Sequence, residues 1–301
     1  MITNDYDIGI VGGGLAGLTT AIQLKKKGYA VILFEKNKYP FHRVCGEYIS
    51  LENWDYLLDC GVDLTALKLP IIKKLEVSAP NGAMLKTDLD LGGFGISRFM
   101  LDHILYEKAK PAGVIILEGT KVDDIIYKDG YYAISCGAEI YNVKLALGSF
   151  GKRSNIDVKW RRNFVSKKKT ALNNYVGIKY HIKTDFPEDT IALHNFKDGY
   201  CGISKIEADK YCLCYLTTAA NLQASGSIKE MERSILYQNK YLEQIFENSE
   251  FIFDEPVSIS QISFDNKEVV YNSMPFAGDA CGMITPLWKW NEHGHAWGQT
   301  L

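Results

Sequence analysis

The residues that could do chemistry begin near the start of this 301-residue chain, in Gly12-Gly13-Gly14-Leu15-Ala16-Gly17. Asp7 to Val11 before them is short and apolar, as a strand buried in a parallel sheet is. Ala16 to Lys27 after them reads as a helix, with Leu18, Ala21, Ile22 and Leu24 on one side and Lys25 to Lys27 in its last turn. Gly28 is placed to cap it. Val31 to Phe34 is a second strand, and Glu35 stands at its end. In such a unit Gly12 allows a tight turn, Gly14 lets a pyrophosphate approach the backbone, and Gly17 lets helix and strand pack closely. The helix then turns its free N–H groups toward the phosphates. Glu35, about 20 residues beyond the glycines, is spaced to accept hydrogen bonds from ribose hydroxyls. Its charge would repel a 2′-phosphate, which argues against NADP at this site.

Other chemistry-bearing residues are spread along the chain. Asn37 to Ser50 is a polar loop holding His42, Arg43, Cys45 and Glu47. Arg43 can pair with phosphate or ribose oxygens. Cys45 and Glu47 are the candidates for groups beside a reacting centre, Glu47 as a proton donor. The alternative for both is ordinary loop polarity. Arg98 opens a helix that Ser97 is suited to cap. A cation there opposes the helix dipole, which suits a ligand-binding role. A second glycine turn, Gly148 to Ser154, follows the apolar strand Val143 to Leu147. Met274 to Gly282 returns to the first pattern: a short strand, then Gly278-Asp279 and small residues opening a helix.

The elements that must carry these residues fall into two styles. Leu51 to Leu64 reads as a helix, Leu75 to Leu89 as a hairpin turning at Asn81-Gly82, and Lys121 to Cys136 as a hairpin around Asp129-Gly130. From Val176 to Thr217 four alternating strands read as an antiparallel sheet, a different layer from the start of the chain. Ile228 to Phe246 is an amphipathic helix, and Val257 to Phe264 a strand.

Composition narrows the class. With 47% hydrophobic and 23% charged residues the chain is an ordinary globular protein, of one large or two connected domains. A net charge of −2 makes no case for nucleic-acid binding. No apolar run reaches the roughly 18 residues of a membrane span. The N-terminus enters the first strand directly, leaving no room for a signal peptide. Seven scattered cysteines suggest reduced thiols in a cytoplasm. Cys212-x-Cys214 points two thiols to one face of a strand but lacks two further ligands for zinc, so no metal is expected. The basic run Lys159 to Lys169 is a solvated connector, or a contact for an anionic membrane surface.

Three blocks, GGGLAGL with Glu35, LGSFGKRS at 147–154 and FAGDACGMITPL at 276–287, together resemble the flavoprotein superfamily of p-hydroxybenzoate hydroxylase. HRVCGEYIS, the Arg98 helix and DGYCGISKIE at 198–207 look most like its geranylgeranyl-reductase-related branch. The resemblance spans nearly the whole chain and implies FAD bound extended. Gly12, Gly14 and Gly17 would cradle the pyrophosphate and Glu35 would hold the adenosine ribose. Arg43 and Arg98 would lie near the phosphates and ribityl chain, and Asp279 would bond a ribityl hydroxyl. Leu15, Ala16, Lys36 and Gly278 complete the expected cofactor-binding set. Two positions depart from the family pattern. Hydroxylases carry an acid in the middle block where this chain has Phe150-Gly151. The aromatic-rich Tyr-x-Trp-x-Phe-Pro block of geranylgeranyl reductases reads Tyr200-Cys201-Gly202-Ile203-Ser204 here.

The tail departs more sharply. After Leu287 the chain reads WKWNEHGHAWGQTL, with Trp288, Trp290, His293 and His295 in an unpatterned polar run. Shifting the reading frame of its codons by one base permits Gly-Asn-Gly-Met-Ser-Met, with both glycines forced. That is the Gly-x-Gly helix start expected beside a flavin. The expectation is a frameshifted, truncated C-terminus; a genuine divergent tail is the alternative.

Taken together, the sequence predicts a Rossmann-like α/β FAD-binding domain, a parallel sheet plus β-meander, over 1–70, 95–160 and 265–301. It is interleaved with an antiparallel-sheet substrate domain over 71–94 and 170–264. The expected function is FAD-dependent reduction of a small apolar or prenyl-type substrate. Electrons would come from a donor protein or from NAD(P)H bound elsewhere than the N-terminal site. The alternatives are an FAD-dependent aromatic hydroxylase or halogenase, and a truncated, non-catalytic flavoprotein.

Overall fold

The computed structural model describes residues 6–166 and 174–283. The tail with Trp288, Trp290, His293 and His295, and the end of the basic connector, lie outside the described residues.

In chain order the N-terminal part comprises β1 (Tyr6–Val11), α1 (Leu15–Lys26), β2 (Val31–Glu35), β3 (Tyr48–Ser50), α2 (Trp54–Asp59), β4 (Ile71–Ser78) and β5 (Met84–Gly95). Then come α3 (Arg98–Ala109), β6 (Ile115–Glu118), β7 (Asp124–Lys128), β8 (Tyr131–Cys136), β9 (Glu139–Gly148), α4 (Asn155–Lys159) and α5 (Asn163–Ser166). The second half holds β10 (Tyr175–Lys183), β11 (Thr190–Phe196), β12 (Gly199–Lys205), β13 (Tyr211–Thr218), α6 (Ala219–Ser225), α7 (Ile228–Ser234) and α8 (Lys240–Asn248). It ends with β14 (Glu250–Phe251), β15 (Val257–Ile262), β16 (Val270–Tyr271), β17 (Met274–Pro275) and a 3-10 turn, Gly278–Cys281.

Two large sheets organise the molecule. The first runs β6-β2-β1-β9-β8-β7. Its β6, β2, β1 and β9 are parallel, and β9-β8-β7 is an antiparallel meander. This is the parallel sheet plus meander expected from the sequence. The β2 strand is buried at every position, as a strand covered on both faces must be. On one face α1 and α3 pack through Leu18, Ile22, Leu101 and Leu105, all at most 2% exposed.

The second sheet has nine strands, in the order β14-β10-β13-β12-β11-β4-β5-β3, with β15 beside β14 on the edge of β10 opposite β13. It is antiparallel except where β4 pairs β11 in parallel. Its outer face is covered by α6 to α8 through Met231, Leu236 and Leu242.

Two predicted helices are broken. Leu51 to Leu64 is a 3-10 turn and a short helix that ends before Gly61, whose φ of 88° leaves the helical region. Ile228 to Phe246 is two helices, because buried Asn239 caps the second. Its side chain accepts from Tyr241 N at 3.0 Å and donates to Ser78 Oγ at 2.7 Å and Asn195 O at 3.0 Å. The hydrophobic period continues through the break, so periodicity alone did not reveal it.

A cleft over the first glycine turn

The end of β1, the start of α1 and the end of β9 converge on one line. Ser149 donates its backbone N–H to Val11 O and its hydroxyl to Gly12 O, at 2.8 and 2.7 Å, which ties the second glycine turn to the first. The third block joins them: Ala277 N–H donates to Gly148 O at 2.9 Å, which sets Gly278 beside Ala16.

Two adjoining cavities run along this line. One, of about 430 Å³, is lined by Gly12, Glu35, Thr120, Val122 and Ile156. The other, of about 670 Å³, runs from Gly14, Leu15 and Ala16 to Gly278 and Asp279, past Arg98. Lys36, Arg43, Ser149, Phe150 and Arg153 border both. Gly17 lies beneath: a Cβ there would sit 1.9 Å from Gly12 O, so its role is packing. At Gly14 a Cβ would meet nothing nearer than Arg98 Nη2 at 3.6 Å and Arg43 Cζ at 3.8 Å. It would project into the cleft, so the missing side chain leaves backbone open to a ligand.

The charges fit an anionic, hydroxyl-rich occupant. Glu35 is 3% exposed. Its Oε2 accepts from Gly13 N–H at 2.9 Å and from Arg43 at 3.2 Å, and its Oε1 accepts from Asn37. Arg43 also reaches Asp102 at 3.1 Å, which Arg98 grips with two bonds of 2.7 and 2.9 Å. Asp102 was missed in the sequence; its place one helical turn after Arg98 was the available signal. At the far end burial raises the Asp279 carboxyl above its ordinary value, against the opposing charges of Lys267, Arg98 and Arg43. Burial, with Lys267 and Arg153 nearby, lowers the Lys152 ammonium to about 8.

Arg98 does not strain its helix. Its backbone N–H donates to Glu47 Oε1 at 2.8 Å, and that of Ser97 to Glu207 Oε2 at 2.7 Å. Two carboxylates thus face the helix N-terminus, and Ser97 caps it by accepting from Met100 N–H.

Cys45 and Glu47 line neither cavity. Glu47 is fully buried, with Lys179 Nζ at 2.6 Å from Oε1 and His181 Nε2 at 2.6 Å from Oε2. Burial alone would raise its carboxyl, but the His181 hydrogen bond and the Lys179 charge outweigh that and hold it below the usual carboxylate range. It is a fixed carboxylate, and the expectation of a proton donor is corrected on that ground. Its φ of 56° is a conformation that only surrounding contacts maintain. Cys45 packs behind the cleft, its carbonyl 3.3 Å from Cys212 Sγ.

Lys179 and His181 were not singled out because β10 was read as one apolar face and one wet face. In the structure eight of its nine residues are buried. The loop carrying Val44 to Glu47 covers the second face. Glu47, His181 and Cys212 offer ligand atoms within 4.8 Å of one another. Lys179 supplies positive charge to that cluster, where a metal ion would otherwise neutralise Glu47.

His42 does line the larger cavity. Its ring stacks on Phe99 at 4.5 Å and meets Phe253 edge-on at 4.7 Å. Burial, with Lys179 and His181 nearby, lowers it to about 4, so it is neutral near pH 7.

Comparison with known proteins bears on the fold. Residues 10–67 match the family model of an NAD(P)-binding Rossmann-like domain. Protein FixC of Salmonella typhi is 25% identical over 184 residues, 58% of this chain and 42% of FixC. The match thus spans less than half of that relative's length. A Pseudomonas fluorescens chlorinase of pyrrole-2-carbonyl groups on a peptidyl-carrier protein is 24% identical over 96% of this chain and 73% of its own. Among solved structures, a Cytophaga hutchinsonii flavoprotein/dehydrogenase superposes with a TM-score of 0.77 at 17% identity, covering 95% of this chain and 73% of that one. A geranylgeranyl bacteriochlorophyll reductase-like protein of Thermoplasma acidophilum gives 0.73 at 18% identity, covering 93% and 72%. The fold is that of the FAD-dependent oxidoreductases, as the sequence blocks implied.

Proposed function

We propose that this chain is an FAD-dependent oxidoreductase that reduces a small apolar substrate of the prenyl type. The observation that carries this reading is the pair of adjoining cavities that run from Glu35 to Asp279, with open backbone at Gly14 between their ends. Their chemistry suits an extended dinucleotide: a ribose at Glu35, the diphosphate over Gly14 beside Arg43, and a ribityl chain near Arg98 and Asp279. Binding the ribose exchanges the Arg43 contact on Glu35 for a hydroxyl. Bound FAD supplies the electron transfer; the chain binds it, orients it and excludes water. No general acid is assigned, since Glu47 is committed to Lys179 and His181. His42, which lines the larger cavity, and Phe41 beside it offer aromatic surface there, with Phe99 and Phe253 packed against the His42 ring. The similarity to the reductase-like structure favours a prenyl substrate. The segments 1–70, 95–160 and 265–301 form the FAD-binding unit in this reading, and 71–94 and 170–264 the substrate unit, with β3 crossing between them. Seven free cysteines fit a reducing cytoplasm. Among the described residues no helix is long and apolar enough to cross a membrane.

A second reading, an oxygen-activating halogenase or hydroxylase, is supported by the chlorinase match over 96% of the chain. Stopped-flow mixing separates the two. Dithionite-reduced protein reoxidised anaerobically by a prenyl compound supports the reductase. Reoxidation that requires oxygen and halogenates or hydroxylates an aromatic substrate supports the rival.

A further inference from the structure

Arg162 belongs to the basic run that reads as solvated, yet its side chain is 0% exposed. Its Nη1 lies 2.9 Å from Asp157 Oδ1 and 3.1 Å from Ala280 O. Its Nη2 donates to Glu268 O at 2.8 Å, and its guanidinium carbon stands 4.1 Å from the centre of the Phe276 ring. Asp157 is itself fixed, since it forms a capping box with Ser154 at the start of α4. Lys267 adds a second buried cation: its Nζ donates to Asp279 O at 2.8 Å and to Lys152 O at 2.6 Å.

Two cations therefore grip the consecutive carbonyls of Asp279 and Ala280 from behind the cleft. Packing alone does not call for this arrangement, because hydrocarbon of similar volume stabilises a core at least as well as a buried ion pair. A trans peptide turns its N–H opposite to its C=O. With Asp279 O drawn to Lys267, the Ala280 N–H in the same peptide unit faces away from that cation. In a poorly solvated site the two charges also polarise the peptides they hold, which strengthens their far sides as donors. The backbone so fixed is the one that carries Gly278 and Asp279 along the cleft wall.

We propose that Arg162, locked between Asp157 and Glu268 at 2.9 and 3.5 Å and seconded by Lys267, is a positioning residue for the Asp279 end of the cleft, where the ribityl chain leads to the flavin. It sets and polarises the Gly278–Cys281 turn so that the site favours reduced, anionic flavin over oxidised flavin. This rests on the FAD reading above. The reduction concerned takes two electrons, supplied by dithionite, and one proton from solvent.

The test compares full-length wild type with Arg162→Met, Arg162→Lys and Lys267→Met. Each is titrated with oxidised FAD, its bound flavin potential is measured by dithionite titration against a reference dye, and its melting temperature is recorded. The expected result is a tenfold loss of preference for the reduced form in Arg162→Met, about 30 mV more negative for a two-electron couple. Arg162→Lys recovers part of the shift, Lys267→Met moves in the same direction, and ADP binding at the Glu35 end is unchanged. If Arg162→Met does not fold, the potential of Lys267→Met decides. A folded variant set with wild-type potential overturns the positioning role, even where melting temperatures fall. A wild type that binds no flavin overturns the FAD reading itself, and this proposal with it.

Discussion

Replacing Gly14 with alanine separates a glycine kept for a ligand from one kept for the fold. Gly14 is the N-cap of α1 at φ −81° and ψ −173°, a conformation open to any residue. Its new methyl would meet only arginine tips, at 3.6 Å and beyond. Alanine is a poorer N-cap than glycine by roughly 0.5–1 kcal/mol. It also lowers the entropy of the unfolded chain, which returns about 0.4–1 kcal/mol. The two nearly cancel, so the melting temperature should hardly move. The methyl nevertheless stands where a diphosphate must approach the backbone. Losing one hydrogen bond to a charged phosphate costs about 1.5–3 kcal/mol, a rise in Kd of roughly 10- to 150-fold. Gly17→Ala is the contrast. Its methyl would stand 1.9 Å from Gly12 O, so β1 and α1 must separate, at about 1–3 kcal/mol or more. Calorimetric titration with FAD and thermal denaturation read both effects. A Gly14→Ala protein that binds FAD as tightly as wild type would refute the placement of the diphosphate.

Glu35→Gln should weaken FAD by about tenfold, the scale of one charge-assisted bond, and competition by ADP should weaken in parallel. Glu47→Ala removes the carboxylate paired with Lys179 at 2.6 Å and should destabilise the chain by about 3–5 kcal/mol in urea unfolding. The carboxyl of Glu47 is depressed in the fold, so its contribution is present above about pH 4.5 and is lost as pH falls further. His194 gives an earlier acid response. Burial lowers it from 6.5 to about 4, so the unfolded chain takes up that proton first. Stability should therefore fall as pH drops from 6.5 toward 4, by about 3 kcal/mol for this ring. In His194→Gln the slope over that interval should be shallower by one bound proton.

Much of the cleft could be read from the chain because it is built from local units. A glycine turn between a strand and a helix, and an acid at the next strand end, are determined within some 30 residues. Gly12, Gly14, Gly17 and Glu35 fall where that unit puts them. The parallel sheet and its meander were legible for the same reason. What was not legible depends on contacts between distant segments. Lys179 and His181 alternate with apolar residues as solvent-facing residues would, and only the loop folded over β10 makes that face an interior. The carboxylate on the Arg98 helix comes from Glu47, 51 residues away. Arg162 sits in a run of like charges, and nothing local shows that one of them turns inward. The break at Asn239 is likewise set by Ser78 and Asn195, which sequence distance hides.

The most direct test of the account is to titrate the purified full chain with FAD and follow the visible flavin spectrum and the stoichiometry. The expected result is one FAD per chain, displaced by ADP and weakened by Gly14→Ala and Glu35→Gln while both variants stay folded. A folded chain that remains colourless in excess FAD, or one whose flavin is indifferent to both substitutions, would contradict it.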